Sequence, residues 1–122
     1  MEINVLWLKR DLRTQDHDAL QAASLSSLPI LVIYCFEPSQ SFHYDFDLRH
    51  WRFVYQSLVD LWQQGMPVWA FQDEVPNIFE TLRSRFSIKK VFSHQETGIE
   101  LTFERDKEMK RYFRKNHIEW KE

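Results

Sequence analysis

Ile3-Asn4-Val5-Leu6-Trp7-Leu8 runs directly into Lys9-Arg10-Asp11-Leu12-Arg13. Five of the six residues from Ile3 to Leu8 are apolar, which suits a buried strand, and the strand ends in three cations and a carboxylate that the packing of a small sheet does not require. Similar runs recur at Ile30 to Phe36, Val68 to Phe71 and Val91 to Phe92, with a weaker one at Ile118 to Trp120, so five strands are expected. Between the second and third, Trp51, Tyr55, Leu58 and Trp62 fall three or four residues apart and predict one apolar helical face, ending near Gly65 as a C′ residue. Val75, Ile78, Phe79, Leu82 and Phe86 repeat that spacing, and Pro76 sits in a first turn, where its missing N–H costs nothing. From Ile99 to Lys115 the charges run acidic first (Glu100, Glu104, Asp106, Glu108) and basic last (Lys110, Arg111, Arg114, Lys115), as the helix dipole favours; a solvated helix face is the expectation.

Strands alternating with helices give right-handed β-α-β units. The fold class is therefore α/β: a doubly wound, five-stranded parallel sheet with helices on both faces. In such sheets ligands sit beyond the carboxyl ends of the strands, where strand order reverses, and the first strand normally borders that point. Residues just after Leu8 become candidates, as does the irregular stretch from Glu37 to Asp47 after the second strand. Lys9, Arg10 and Asp11 are thus read two ways: as a site for a polar ring or anionic group, or as a solvated loop in which Arg10 or Arg13 pairs with Asp11.

Composition narrows the function classes. The 122 residues, 43% hydrophobic and 28% charged, suit a single domain over residues 1–122. A formal net charge of −2 gives no field for holding nucleic acid, so DNA binding by this piece alone is not expected. Cys35, the single cysteine, lies in an apolar run and reads as a small buried hydrophobe in a reducing cytoplasm. The start shows no basic region before a long apolar run, and no stretch is long enough to span a bilayer, so neither export nor membrane insertion is expected.

Two glycines, Gly65 and Gly98, leave no room for a G-x-G-x-x-G turn or a P-loop, which disfavours a small adenine-nucleotide enzyme. The five histidines form no His-x-x-x-His pair, and no metal site is expected. His43, Asp45, Asp47 and His50 read better as a polar loop, with Asp45 or Asp47 capping the Trp51 helix. Asp16-His17-Asp18 reads better as the cap of a helix carrying Leu20, Ala22 and Ala23 than as acid-base machinery.

Trp7-Leu8-Lys9-Arg10-Asp11-Leu12-Arg13, followed by Asp16-His17-Asp18-Ala19-Leu20, resembles the opening signature of the photolyase and cryptochrome family. The likeness continues through Tyr34-Cys35-Phe36-Glu37-Pro38, through Arg49-His50-Trp51-Arg52-Phe53 with Ser57-Leu58 and Leu61, and through Ser93-His94-Gln95-Glu96-Thr97-Gly98 with Arg105-Asp106. It covers nearly the whole chain. The resemblance implies a Rossmann-like N-terminal domain of a longer protein, whose helical domain, absent here, binds FAD and repairs pyrimidine dimers in DNA under blue light. It assigns no bond-making step to this domain, and to a photolyase parent the chemistry of a carbon–carbon lyase.

What the resemblance implies for this domain is an antenna: methenyltetrahydrofolate, 8-hydroxy-deazaflavin or FMN, passing excitation energy to FAD. In the deazaflavin-binding members the slot uses residues that here correspond to Phe36, Glu37, Arg52 and Phe53, with an acidic residue after the fourth strand, Glu96. On that model Phe36 and Phe53 stack on the rings and Arg52 pairs with a carbonyl or anionic group; the alternative is that Phe53 is core and Arg52 a surface ion pair. Leu101-Thr102 stands where one mode of folate binding has Asn-Glu, which speaks against that mode. Trp7, Trp51, Trp62, Trp69 and Trp120 read as core. The implied partners are the protein's own helical FAD domain and, through it alone, DNA; no membrane is implied. The competing reading is a regulatory or interaction domain of the same shape that binds no chromophore.

Overall fold

The structure, a computed structural model, describes residues 1–9, 18–25, 27–41, 48–94 and 100–122; side chains at 18, 40, 41, 48–51, 53 and 100–102 are not described. The elements follow in the order β1 (Glu2–Leu8), α1 (Asp18–Ser24), β2 (Ile30–Phe36), α2 (Pro38–Ser41), α3 (Leu48–Gln63), β3 (Val68–Gln72), α4 (Val75–Arg83), β4 (Ser87–Phe92), α5 (Glu100–Lys115) and β5 (Glu119–Lys121). The strands pair in the order β3-β2-β1-β4-β5, every pair parallel. Strand order reverses at β1, as the doubly wound reading requires.

Strand alternation divides the core into two layers. Ile3, Val5 and Trp7 of β1 and Ile33 and Cys35 of β2 face α4 and α5, packing with Val75, Ile78, Phe79, Leu82, Met109 and Phe113. Leu6 and Leu8 of β1 and Val32 and Tyr34 of β2 face α1 and α3, packing with Ala19, Ala23, Val54, Leu58 and Leu61. Edge-to-face contacts of Phe79 with Trp7 (5.9 Å) and with Phe113 (5.0 Å) tie α4, β1 and α5 together.

Helix α3 turns a different face to the sheet than its aromatic spacing suggested. Leu58 is buried as expected, but Val54 and Leu61 join it, whereas Tyr55 and Trp62 are exposed. Aliphatic side chains have no polar atom to satisfy in the core, while the Trp62 indole sits at the rim and donates Nε1–H to the carbonyl oxygen of Val68 at 2.9 Å. Trp69 also stands out in solvent rather than in the core.

The end of α3 behaves as its glycine predicts. Gly65 takes φ +88°, its N–H donates to Trp62 O and the N–H of Met66 to Leu61 O, the paired bonds of a Schellman cap. The end of α5 repeats the motif, with bonds from His117 to Arg114 and from Ile118 to Phe113, but here a histidine holds the left-handed position at φ 58°. Because Ile118 is drawn into that cap, β5 begins one residue later than its apolar run suggested. Strand β4 starts earlier than Val91, since Lys89 and Lys90 disguise its first half; Lys90 is in register with Glu119 and pairs with it at 3.3 Å.

Candidate functional site

At the carboxyl end of the sheet, alternation sends consecutive residues to opposite faces. Lys9 continues the parity of Trp7, and Glu37 that of Cys35, so both enter the layer shared with α5. There they meet Arg105 and Asp106, and all four form a chain of ion pairs. Arg105 Nη1 lies 2.5 Å from Glu37 Oε1, Arg105 Nε 3.1 Å from Asp106 Oδ1, and Lys9 Nζ 3.1 Å from Asp106 Oδ2. The Arg105 and Glu37 side chains are only 9% and 5% exposed, so two positive and two negative charges compensate one another largely out of water.

Aromatic rings wall this quartet. Lys9 Nζ sits 4.5 Å from the centroid of Trp7 and 5.3 Å from that of Trp120, and the Arg105 guanidinium 5.1 Å from Trp7, distances at which a ring face attracts a cation. Trp7 and Trp120 are stacked with centroids 5.9 Å apart, and Trp120 Nε1–H donates to Ser93 Oγ at the end of β4. Glu122 approaches Lys9 at 4.0 Å; burial pushes its carboxyl above the usual range, and the Lys9 charge opposes that. Beyond Trp120, Lys110, Phe113, Arg114, Ile118 and Glu122 complete a groove of about 440 Å³ along the β5 edge. Among the described residues expected to bind a cofactor, Lys9, Phe36, Glu37 and Arg52 are not in its lining.

The opposite face of the same end is built from other groups. Phe36 follows the parity of Tyr34 and packs edge-to-face against it at 4.9 Å, half-buried in the α3 layer. Arg52, in the first half of α3, is exposed. Phe53 belongs to the same helix, while Arg10, Asp11 and Glu96 lie outside the described residues, as do Asp16, His17, His43, Asp45 and Asp47. Of the expected site residues, the structure therefore joins Lys9 to Glu37 through Arg105 and Asp106, and leaves Phe36 and Arg52 across the sheet from them. Among the described residues no group of His, Cys, Asp and Glu side chains has the geometry of a metal site.

Arg105 and Asp106 are the members that sequence reading missed. Their place in the charged run of α5, acidic first and basic last, suggests a solvated face, yet Arg105 is buried. The usable signal was the Arg-Asp dipeptide itself, a part of the family resemblance. Cys35 is buried as expected; burial and the neighbouring Glu37 carboxylate push its thiol far up, against the lowering effect of Arg105, so it is poorly nucleophilic.

A family model for DNA photolyase matches residues 4–122. The chain belongs to the DNA photolyase family. It is 34% identical over 110 residues to cryptochrome DASH, chloroplastic/mitochondrial, of Arabidopsis thaliana, covering 80% of this chain and 19% of that protein. To cryptochrome DASH of Gloeobacter violaceus it is 30% identical over 112 residues, covering 84% and 22%. This DNA photolyase family chain thus spans about a fifth of the length of these curated relatives. In fold it is similar to a cryptochrome of Synechocystis sp. PCC6803, with a TM-score of 0.86 at 20% identity over 99% of this chain and 27% of that one. A class III photolyase from Agrobacterium tumefaciens gives 0.81 at 20% identity, covering 98% and 25%. No helix among the described residues is long and apolar enough to cross a membrane.

Proposed function

We propose that this chain is the antenna-binding α/β domain of a blue-light photolyase or cryptochrome, holding a flat pigment at the carboxyl end of its sheet. The pigment's contribution is to absorb near-ultraviolet or blue light and pass the energy through space to FAD held by a helical domain outside residues 1–122. DNA then meets the protein through that other domain, in the cytoplasm.

The observation that carries this reading is the asymmetry of the two faces. On the α4 and α5 side the strand tips are occupied by mutually neutralised charges; on the α3 side the tip of β2 carries an aromatic ring, Phe36, and the helix covering that face carries an exposed guanidinium, Arg52. An aromatic ring with a cation on the covering helix suits a planar pigment bearing a carbonyl or anionic group. Phe36, Arg52 and Phe53 would line the slot, with Arg10, Asp11 and Glu96 at its rim. Lys9 and Glu37 would back it by fixing the strand tips. Excitation transfer needs a fixed distance and orientation, and the ion quartet supplies rigidity without touching the ring.

The test is spectroscopic. Methenyltetrahydrofolate, 8-hydroxy-deazaflavin and FMN are added in turn to the pure chain, and one is expected to bind with a shifted band and altered fluorescence. Phe53→Ala should weaken that binding by about tenfold or more, the worth of a lost aromatic contact. No binding of any of the three, to this chain or to a longer form carrying the helical domain, would favour a chromophore-free interaction domain instead.

A further inference from the structure

The two edges of the sheet are protected unequally. β5 carries Glu119 and Lys121 at two of its three positions, charges that discourage pairing with another strand. β3, at the opposite edge, reads Val68-Trp69-Ala70-Phe71-Gln72, with neither a charge nor a proline, and among the described residues no strand pairs with its outer side. Trp69 is 55% exposed on this edge and Trp62 52% beside it.

We propose that the outer edge of β3 is a self-association surface, on which a second copy of this chain adds antiparallel across a two-fold axis to extend the sheet.

The strand is complementary to itself in that arrangement. A two-fold axis at Ala70 sets Ala70 against its own copy, Val68 against Gln72, and Trp69 against Phe71 twice. Trp69 and Phe71 share one face of the sheet, since they are in register with Ile33 and Cys35. The dimer therefore gains two aromatic cross-strand pairs on a single face, and the exposed Trp69 indoles are covered. Charge does not oppose this arrangement. Asp73 and Glu74, just past the strand, would lie opposite Pro67 and Met66 of the other copy, so no acidic group meets its like. The Glu74 carboxylate is in any case turned back onto its own chain, accepting the N–H and Oγ–H of Ser39 at 2.7 and 2.9 Å.

Trp62 already takes the carbonyl oxygen of Val68, so the new ladder would centre on Ala70 rather than run the whole strand. Such a contact falls well short of the roughly 1,600 Å² of a standard stable interface. Association is therefore expected only at protein concentrations on the order of tens of micromolar or above.

Sedimentation of the chain over a concentration series should show the mass rising from 15.0 kDa toward twice that value. Trp69→Lys, a change at an exposed position, should abolish the rise and leave the circular dichroism spectrum unchanged. Ala70→Cys should form a reducible disulfide dimer under mild oxidation, because both kinds of antiparallel residue pair have Cα separations within disulfide range. Adding Trp69→Lys to Ala70→Cys should suppress that crosslink. A monomer at every concentration would overturn the proposal and leave the edge to a different polypeptide. A dimer unaffected by Trp69→Lys, or an Ala70→Cys variant that fails to crosslink, would overturn it equally.

Discussion

On the α4 and α5 face, the tips of β1 and β2 deliver Lys9 and Glu37 into a closed quartet with Asp106 and Arg105. On the α1 and α3 face, one residue earlier in each strand, the same tips deliver Leu8 and Phe36, and Arg52 stands in solvent. A shift of one residue along a strand thus separates charges that pair with one another from apolar groups packed against the α3 layer. The teaching is that formal charge at a strand end does not by itself mark a binding slot. What its partners leave over does.

If the quartet is as closed as its distances suggest, breaking it should have the largest effect on stability. Arg105→Met leaves the Glu37 carboxylate buried without its closest cation, and denaturant unfolding should show a loss of about 3–5 kcal/mol. Replacing both partners, Arg105→Met with Glu37→Leu, should restore much of that loss, since no buried charge is then stranded. Equal or greater destabilisation in the double variant would mean that packing, not charge compensation, holds α5 on the strand tips.

Lys9→Met sharpens the contrast at intermediate cost. It removes the ion pairs with Asp106 and Glu122 and two cation–ring contacts, yet Asp106 keeps its contact with Arg105, so a loss of about 1–3 kcal/mol is expected. The α5 cap offers a change of opposite sign. His117 occupies the left-handed conformation that glycine holds at Gly65, and His117→Gly should raise stability by about 0.5–1 kcal/mol in thermal or denaturant unfolding. The smallest effect belongs to the open face: Arg52→Ala should change stability by no more than about 0.5 kcal/mol.

Most of the fold was legible in sequence because its signals are local. Apolar runs marked the strands, Gly65 closed α3, and Val75, Ile78, Phe79 and Leu82 are all buried as their spacing required. The differences have equally local causes: two lysines hide the start of β4, the four-residue α2 lies in a stretch whose composition reads as loop, and α3 buries aliphatic rather than aromatic positions. The site was harder to read. Lys9 stood out as a cation at the end of a buried strand, but its partner Asp106 lies 97 positions along the chain, and no periodicity connects them. Glu37 and Arg105 are 68 positions apart and meet only because the end of β2 lies beside the first half of α5.

The most direct test of the two-face account is a binding titration of 8-hydroxy-deazaflavin against the wild-type chain, Arg52→Ala and Lys9→Met, read by pigment absorption and fluorescence. The account predicts that Arg52→Ala, fully folded, raises the dissociation constant by about tenfold or more, the value of one charge-assisted contact, and that Lys9→Met changes it little despite being the less stable protein. Binding lost in Lys9→Met and intact in Arg52→Ala would place the pigment on the α5 side and contradict it.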